Sequence, residues 1–113
     1  MTPERETAAV FSPTPDAGHV RDILETKLYC QFFLVKIPGE KRVLTQYGPT
    51  FIRIAWPEKS ITPACYLIEV REKENGPPVI QNKLHPISLE EVIRIVGRYC
   101  KKRPIEDRQI KLF

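Results

Sequence analysis

The sequence has no long apolar run, and its amino terminus lacks the features of an export signal. No apolar stretch approaches the roughly 18 residues that would suggest a membrane span. Residues 1–6 are polar and partly acidic, and no apolar segment of the signal-peptide type follows them. We therefore expect a cytoplasmic protein with no membrane segment.

Cysteine, histidine and glycine are scarce and scattered. Cys30, Cys65 and Cys100 are the only cysteines, and none belongs to a Cys-x-x-Cys pair. A disulfide framework needs an even set and a zinc site needs close pairs, so we interpret them as small core residues in a reducing compartment. The only histidines are His19 and His85, and the five glycines are scattered singly along the chain. We predict no cofactor, no metal and no catalytic residue, and hence a protein that is not an enzyme.

The size and charge of the chain favour a single domain with a mild preference for acidic partners. At 113 residues, the chain is long enough to bury one core without metals or disulfides. The net charge of +4 would help the protein approach nucleic acid or an acidic protein, but many basic proteins that bind neither carry as much. Charge alone therefore does not identify a partner.

Three prolines separate the amino-terminal segment from the rest. Pro3, Pro13 and Pro15 lie among Thr, Ser, Ala and Glu, without apolar periodicity. We predict a flexible arm over residues 1–15, a domain over residues 16–104 and a carboxy-terminal tail over residues 105–113.

The pattern of the domain predicts a helix, a run of strands and a second helix. Asp16 can cap a helix that ends near Lys27, with Val20, Ile23 and Leu24 on one face. Branched and aromatic residues between Gly- and Pro-containing turns then predict strands over residues 28–37, 42–47, 50–56, 64–73 and 79–84. The prediction is a single α+β domain, in which a helix stands at each end of an antiparallel meander of four to five strands.

The last helix has the clearest sequence signals. Ser88 and Glu91 form a capping box, and Ile87 and Val92 form a hydrophobic staple. We expect the helix to run to about Arg103, before Pro104. Its expected buried stripe consists of Leu89, Val92, Ile93, Val96 and Cys100, with Tyr99 at its edge.

Two charged patterns offer possible sites. Asp16 and the strand sequence Glu69-Val70-Arg71 resemble the carboxylate pair and basic residue of restriction-type nucleases, in which the carboxylates hold Mg²⁺. The ordinary interpretation of Glu69 is a solvent-facing strand charge.

The second pattern is a basic row on the last helix that could bind a phosphate backbone, or could be a solvated face with a Glu90–Arg94 pair. Its members are Arg94, Arg98, Lys101, Lys102 and Arg103.

The chain ends in Gln109-Ile110-Lys111-Leu112-Phe113. This pentapeptide resembles the short motif, commonly Gln-Leu-x-Leu-Phe, by which bacterial DNA polymerases, repair proteins and some plasmid initiators dock on the sliding clamp. The resemblance implies that Gln109 hydrogen-bonds at the rim of the clamp's cleft and that Leu112 and Phe113 fill its apolar pocket. Ile110 replaces the usual leucine, and Lys111 falls at a variable position. An alternative is that Ile110 and Leu112 belong to a half-buried edge strand.

The leading hypothesis is a DNA replication, repair or mobile-element accessory protein that docks on the sliding clamp through Gln109, Ile110, Leu112 and Phe113. One alternative is a small basic nucleic-acid-binding module that uses the last helix. Another is a protein–protein adaptor or inhibitor.

Overall fold

The computed structural model describes residues 11–100, which form two helices and seven strands. In chain order they are β1 Ser12–Pro13, α1 Ala17–Lys27, β2 Phe33–Ile37, β3 Glu40–Tyr47, β4 Thr50–Pro57, β5 Lys59–Ser60, β6 Leu67–Arg71, β7 Pro78–Gln81 and α2 Leu89–Val96. No helix within these residues is both long and apolar enough to cross a membrane.

Five of the strands form one antiparallel sheet in the order β2-β3-β4-β6-β7. Two-residue turns set the register of the first two hairpins. Gly39 (φ +79°) lets Ile37 pair with Glu40, and Gly48 (φ +64°) lets Tyr47 pair with Thr50. Both glycines have the left-handed φ that side-chain-bearing residues avoid. The predicted α+β meander is confirmed.

The alternation of β4 places three of its large apolar side chains on one face of the sheet. Ile52, Ile54 and Trp56 are buried there. Ile54 lies between Val43 on β3 and Ile68 on β6, so each strand adds a residue to the same layer. We call this side of the sheet its core face.

The apolar stripes of both helices pack onto the core face. They join the strand residues in one cluster of buried side chains. Four members of this cluster lie in the helices and two lie just beyond their carboxy-terminal ends. The helical members are Val20, Leu24, Val92 and Val96, and the other two are Leu28 and Cys100. Both helices therefore lie on the same side of the sheet, as expected for an amphipathic helix at each end of a meander.

The connection between α1 and β2 differs from the strand predicted over residues 28–37, because β2 begins only at Phe33. The backbone N–H of Phe32 donates to Glu25 Oε2 at 2.7 Å, and the Thr45 hydroxyl donates to the carbonyl oxygen of Gln31 at 2.6 Å. These side chains satisfy polar groups that a strand would have paired. Asp16 does occupy the N-cap position of α1, although its side chain makes no capping hydrogen bond.

The carboxy-terminal part of the predicted flexible arm is held against the domain. β1 pairs with β5, and Thr14 hydrogen-bonds to the carbonyl oxygens of Pro57 and Glu58 at 2.7 and 3.0 Å. The arm prediction is therefore wrong for residues 12–15, while residues 1–10 lie outside the described part of the chain. A two-residue edge strand can contain proline, since its outward side needs no N–H donor. Composition alone did not reveal this pairing.

The start of α2 is as predicted, but its end is not. Ser88 is the N-cap, and its side chain accepts a 3.2 Å hydrogen bond from the backbone N–H of Glu91. The helix ends at Val96 rather than near Arg103. After Gly97 the chain continues in tighter turns, in which the N–H of Tyr99 donates to the carbonyl oxygen of Val96 at 2.9 Å. Glycine is among the least favourable helix residues, and i→i+3 bonds commonly end a helix.

Candidate functional site

The carboxy-terminal pentapeptide, Gln109 to Phe113, lies outside the described residues, so the structure defines only the point from which it departs. That point is Cys100, which is 1% exposed and whose N–H donates to the carbonyl oxygen of Val96 at 2.8 Å. Eight residues separate Cys100 from Gln109. Fully extended, such a segment reaches about 30 Å. The motif therefore begins within that distance of an anchored position in the core.

The basic row predicted on α2 is divided by the end of the helix. Arg94 lies in α2, but its guanidinium Nε donates to Glu91 Oε1 at 3.1 Å. This contact lowers the pKa of Glu91 and raises that of Arg94. The expected Glu90–Arg94 pair is thus replaced by an i,i+3 pair with Glu91. Arg98 is exposed but follows the helix, and residues 101–103 lie outside the described part.

The nuclease-like pattern does not form one site. Asp16 lies at the start of α1, with its carboxylate 3.8 Å from Lys41 Nζ. Glu69 is on β6 and points to the face opposite the core, because Ile68 and Val70 on either side of it point into the core. Within residues 11–100, no group of three or more His, Cys, Asp or Glu side chains is arranged to hold a metal ion.

Glu69 is instead the centre of an ion-pair cluster. Its side chain is 8% exposed and contacts Arg53 on β4 and Arg71 on its own strand. Arg53 pairs directly across from Glu69, and Arg71 also donates to the carbonyl oxygen of Gly76 at 2.5 Å. The cluster joins β4, β6 and the turn that follows β6. The interpretation of Glu69 as a solvent-facing charge is wrong, because the alternation of β6 did not show which residue of β4 lies opposite it.

An apolar cavity of about 650 Å³ lies between β1, the loop after β5 and the start of α2. Its walls include Pro13, Ile61, Pro63, Tyr66 and Leu89. Burial raises the pKa of Tyr66 to about 12. Such a cavity suits an apolar side chain or a small apolar molecule. The sequence did not indicate it, because one wall is built by residues assigned to the flexible arm.

Comparison with known protein families, with curated proteins and with solved structures gives no match for this chain.

Proposed function

We propose that the protein is a non-enzymatic accessory of DNA replication, DNA repair or a mobile element, and that it docks on the bacterial sliding clamp through its carboxy-terminal pentapeptide. The observation that carries the proposal is the sequence Gln109-Ile110-Lys111-Leu112-Phe113. It places a polar residue, a branched residue and a Leu-Phe pair in the order of the clamp-binding motif.

The physical basis is that of a short peptide with few anchors. Leu112 and Phe113 would supply most of the buried apolar area in a preformed pocket, and Gln109 would fix the register by hydrogen bonding at its rim. Ile110 would add a further apolar contact, while the side chain of Lys111 would face solvent.

The described fold supports this arrangement in two ways. First, the buried cluster on the core face of the sheet already includes the apolar stripes of α1 and α2. Second, Cys100 fixes the start of the terminal segment against the core, and the eight residues up to Gln109 give about 30 Å of reach. That reach is enough for the pentapeptide to enter a cleft on a separate protein while the domain stays outside it.

The proposal is tested by the binding of the full chain to a purified, immobilised bacterial sliding clamp, measured by surface plasmon resonance. The matched variant ends at Arg108. We expect the full chain to bind and the truncated chain to give no signal at the same concentrations, while both have the same melting temperature. Equal binding by the two chains would refute docking through the pentapeptide. A large loss of melting temperature on truncation would instead identify residues 109–113 as part of the folded domain.

The alternative function is nucleic-acid binding through the end of α2. It is favoured by the exposure of Arg94 and Arg98 and by the basic residues 101–103 that follow Cys100 directly in sequence. The Glu91–Arg94 pair weakens it, because Glu91 neutralises one member of the row. Changing Arg94, Arg98 and Lys101 together to Gln should abolish binding if this function is correct, and binding by the unchanged chain should fall steeply with salt. Gel shifts without binding at low salt, for DNA and RNA of either strandedness, would exclude it.

A further inference from the structure

The apolar cavity between β1, the loop after β5 and the start of α2 has walls that the backbone holds in place. β1 is paired with β5, and the N–H of Thr14 donates to the carbonyl oxygen of Glu58 at 3.0 Å. Just before α2, Tyr66 and Ile87 exchange two backbone hydrogen bonds of 2.9 and 3.0 Å. The cavity is therefore formed before any ligand enters it, as is usual for a small-molecule site.

The lining of the cavity favours a neutral ligand. Pro13, Ile61 and Pro63 supply apolar side chains, and the two prolines have no backbone N–H to offer a ligand. Within residues 11–100, the lining contains no lysine, arginine or histidine, and its only carboxylate is that of the exposed Glu90. An anionic ligand would meet apolar surface and a like charge, with no cation to compensate for its lost hydration.

Most hydroxyl groups of the lining already have a hydrogen-bond partner. Four of them bond to nearby backbone groups, and these belong to Thr14, Ser60, Thr62 and Ser88. A fifth, on Ser12, is exposed to water. The sixth is the phenol of Tyr66, which is the only one of the six on a fully buried side chain.

The phenol of Tyr66 has no partner within the described part of the chain. Tyr66 is 3% exposed, its backbone N–H and carbonyl both bond to Ile87, and its ring packs against that of Trp56. Among residues 11–100, no group hydrogen-bonds to its hydroxyl. Burial raises the pKa of Tyr66 to about 12, so at neutral pH the phenol keeps its proton and can donate. A buried hydroxyl left without an acceptor is unfavourable, and a ligand in the cavity can supply one.

We propose that the cavity is a binding site for a small neutral aromatic molecule with one hydrogen-bond acceptor, such as an aryl ketone, and that the Tyr66 hydroxyl donates to that acceptor. The aromatic rings of the ligand lie against Ile61, Pro63 and Leu89. The volume of about 650 Å³ is typical of sites for ligands of this kind. The site is separate from the pentapeptide, so it neither requires clamp docking nor excludes it.

The test is a titration of the ¹⁵N-labelled full chain with 2-acetylnaphthalene, followed by the N–H signals in NMR spectra. Trp56 is the only tryptophan, so its indole N–H gives one identifiable signal next to Tyr66. We expect the shifts to be concentrated at Ile61, Tyr66, Leu89 and this indole. A dissociation constant of about 0.1 to 1 mM is reasonable for a ligand of this size.

Matched ligands separate the hydrogen bond from apolar contact. Tyr66→Phe keeps the ring and removes the donor, so the dissociation constant of the ketone should rise about tenfold. Naphthalene has no acceptor and should give equal shifts in Tyr66→Phe and in the unchanged chain. 2-Naphthoate has the same rings with a negative charge, and it should bind the unchanged chain at least about tenfold more weakly than the ketone.

Matched variants at exposed positions show where the ligand binds. Ile61 is 63% exposed and lines the cavity, whereas Leu84 is 85% exposed and does not line it. Ile61→Ser should weaken binding of the ketone about fivefold, because part of the apolar wall is lost. Leu84→Ser should leave the dissociation constant unchanged. Neither substitution replaces a core residue.

Three results would overturn the proposal directly. They are the absence of shifts at the cavity, equal affinity of Tyr66→Phe and the unchanged chain for the ketone, and equal effects of Ile61→Ser and Leu84→Ser. The chain that ends at Arg108 should bind the ketone like the full chain, and tighter binding after truncation would identify residues 109–113 as the natural occupant instead. Weaker binding at higher protein concentration would identify a second copy as the occupant, and would equally overturn the proposal.

Discussion

The indole N–H of Trp56 donates a 3.0 Å hydrogen bond to the carbonyl oxygen of Pro15. Trp56 is 1% exposed at the end of β4, and its ring lies 5.1 Å from that of Tyr66, centroid to centroid. Pro15 directly precedes the N-cap of α1. The bond thus fixes the entry of the chain into the domain against the most bulky side chain of the core.

Because of this contact, residues 11–15 should contribute more to the stability of the domain than residues 1–10. Deleting residues 1–10 should leave the melting temperature nearly unchanged, because these residues have the composition of a flexible arm. Deleting residues 1–15 should lower it by several degrees, since the pairing of β1 with β5 and the Trp56–Pro15 bond are then lost. Differential scanning calorimetry of the two truncations is the measurement. Equal melting temperatures would show that the pairing contributes nothing.

The Ser88 cap should contribute measurably to the stability of α2. Ser88→Ala should reduce the free energy of unfolding by about 1 kcal/mol, because the N–H of Glu91 loses its acceptor. Ser88→Gly is the matched variant and should cost only about a few tenths of a kcal/mol, since water can then reach the N–H group. Chemical denaturation of the three proteins gives the comparison. A larger loss for glycine than for alanine would mean that capping is not the cause.

The burial of Tyr66 predicts a loss of stability at high pH. Its pKa is raised to about 12 from an ordinary value of 10.0, so the folded state favours the protonated phenol. The resulting stabilisation is complete below pH 10 and is lost as the pH rises towards 12. Two pKa units correspond to about 2 to 3 kcal/mol.

The measurement is the free energy of unfolding at a series of pH values for the unchanged chain and for Tyr66→Phe. Phenylalanine keeps the ring but has no proton to lose. The stability of the unchanged chain should therefore fall relative to that of Tyr66→Phe between pH 10 and 12. A constant difference over that interval would contradict the assigned burial effect.

The Glu69 cluster should hold β4 and β6 together. Glu69→Gln keeps the size of the side chain but leaves Arg53 and Arg71 without their anionic partner. We expect a loss of about 1 to 3 kcal/mol, at the lower end because both guanidinium groups are partly exposed and can turn to water. Glu91→Gln is the control, because the side chains of its pair with Arg94 are 53% and 47% exposed, and it should change stability far less. Urea unfolding of both variants tests the difference, and equal losses would count against a special role for Glu69.

The fold could be predicted from the sequence wherever local patterns determine it. Alternation along β4, the turn glycines Gly39 and Gly48 and the Ser88 cap each specify a local geometry, and all three are present in the structure. The prediction failed where distant residues decide the outcome. β1 exists only because β5 pairs with it, and the strand at residues 28–32 is replaced by side-chain contacts from Glu25 and Thr45.

The candidate sites show the same limit. The burial of Glu69 depends on the register between β4 and β6, and the apolar cavity depends on the pairing of β1 with β5. Neither relationship can be read from spacing along the chain. Gly97, by contrast, is a local signal, because glycine is unfavourable within a helix and α2 ends directly before it.

The most direct test of the proposed function is calorimetric titration of a bacterial sliding clamp with a peptide that ends in Arg108-Gln109-Ile110-Lys111-Leu112-Phe113. We expect binding in the micromolar range, about −8 kcal/mol, which a short motif can reach after the cost of ordering it. Leu112→Ala and Phe113→Ala should each remove about 2 kcal/mol or more, because each would withdraw an anchor from the pocket. Lys111→Ala is the matched control and should bind like the unchanged peptide. No heat of binding from the unchanged peptide, or equal affinity for all four, would contradict the account.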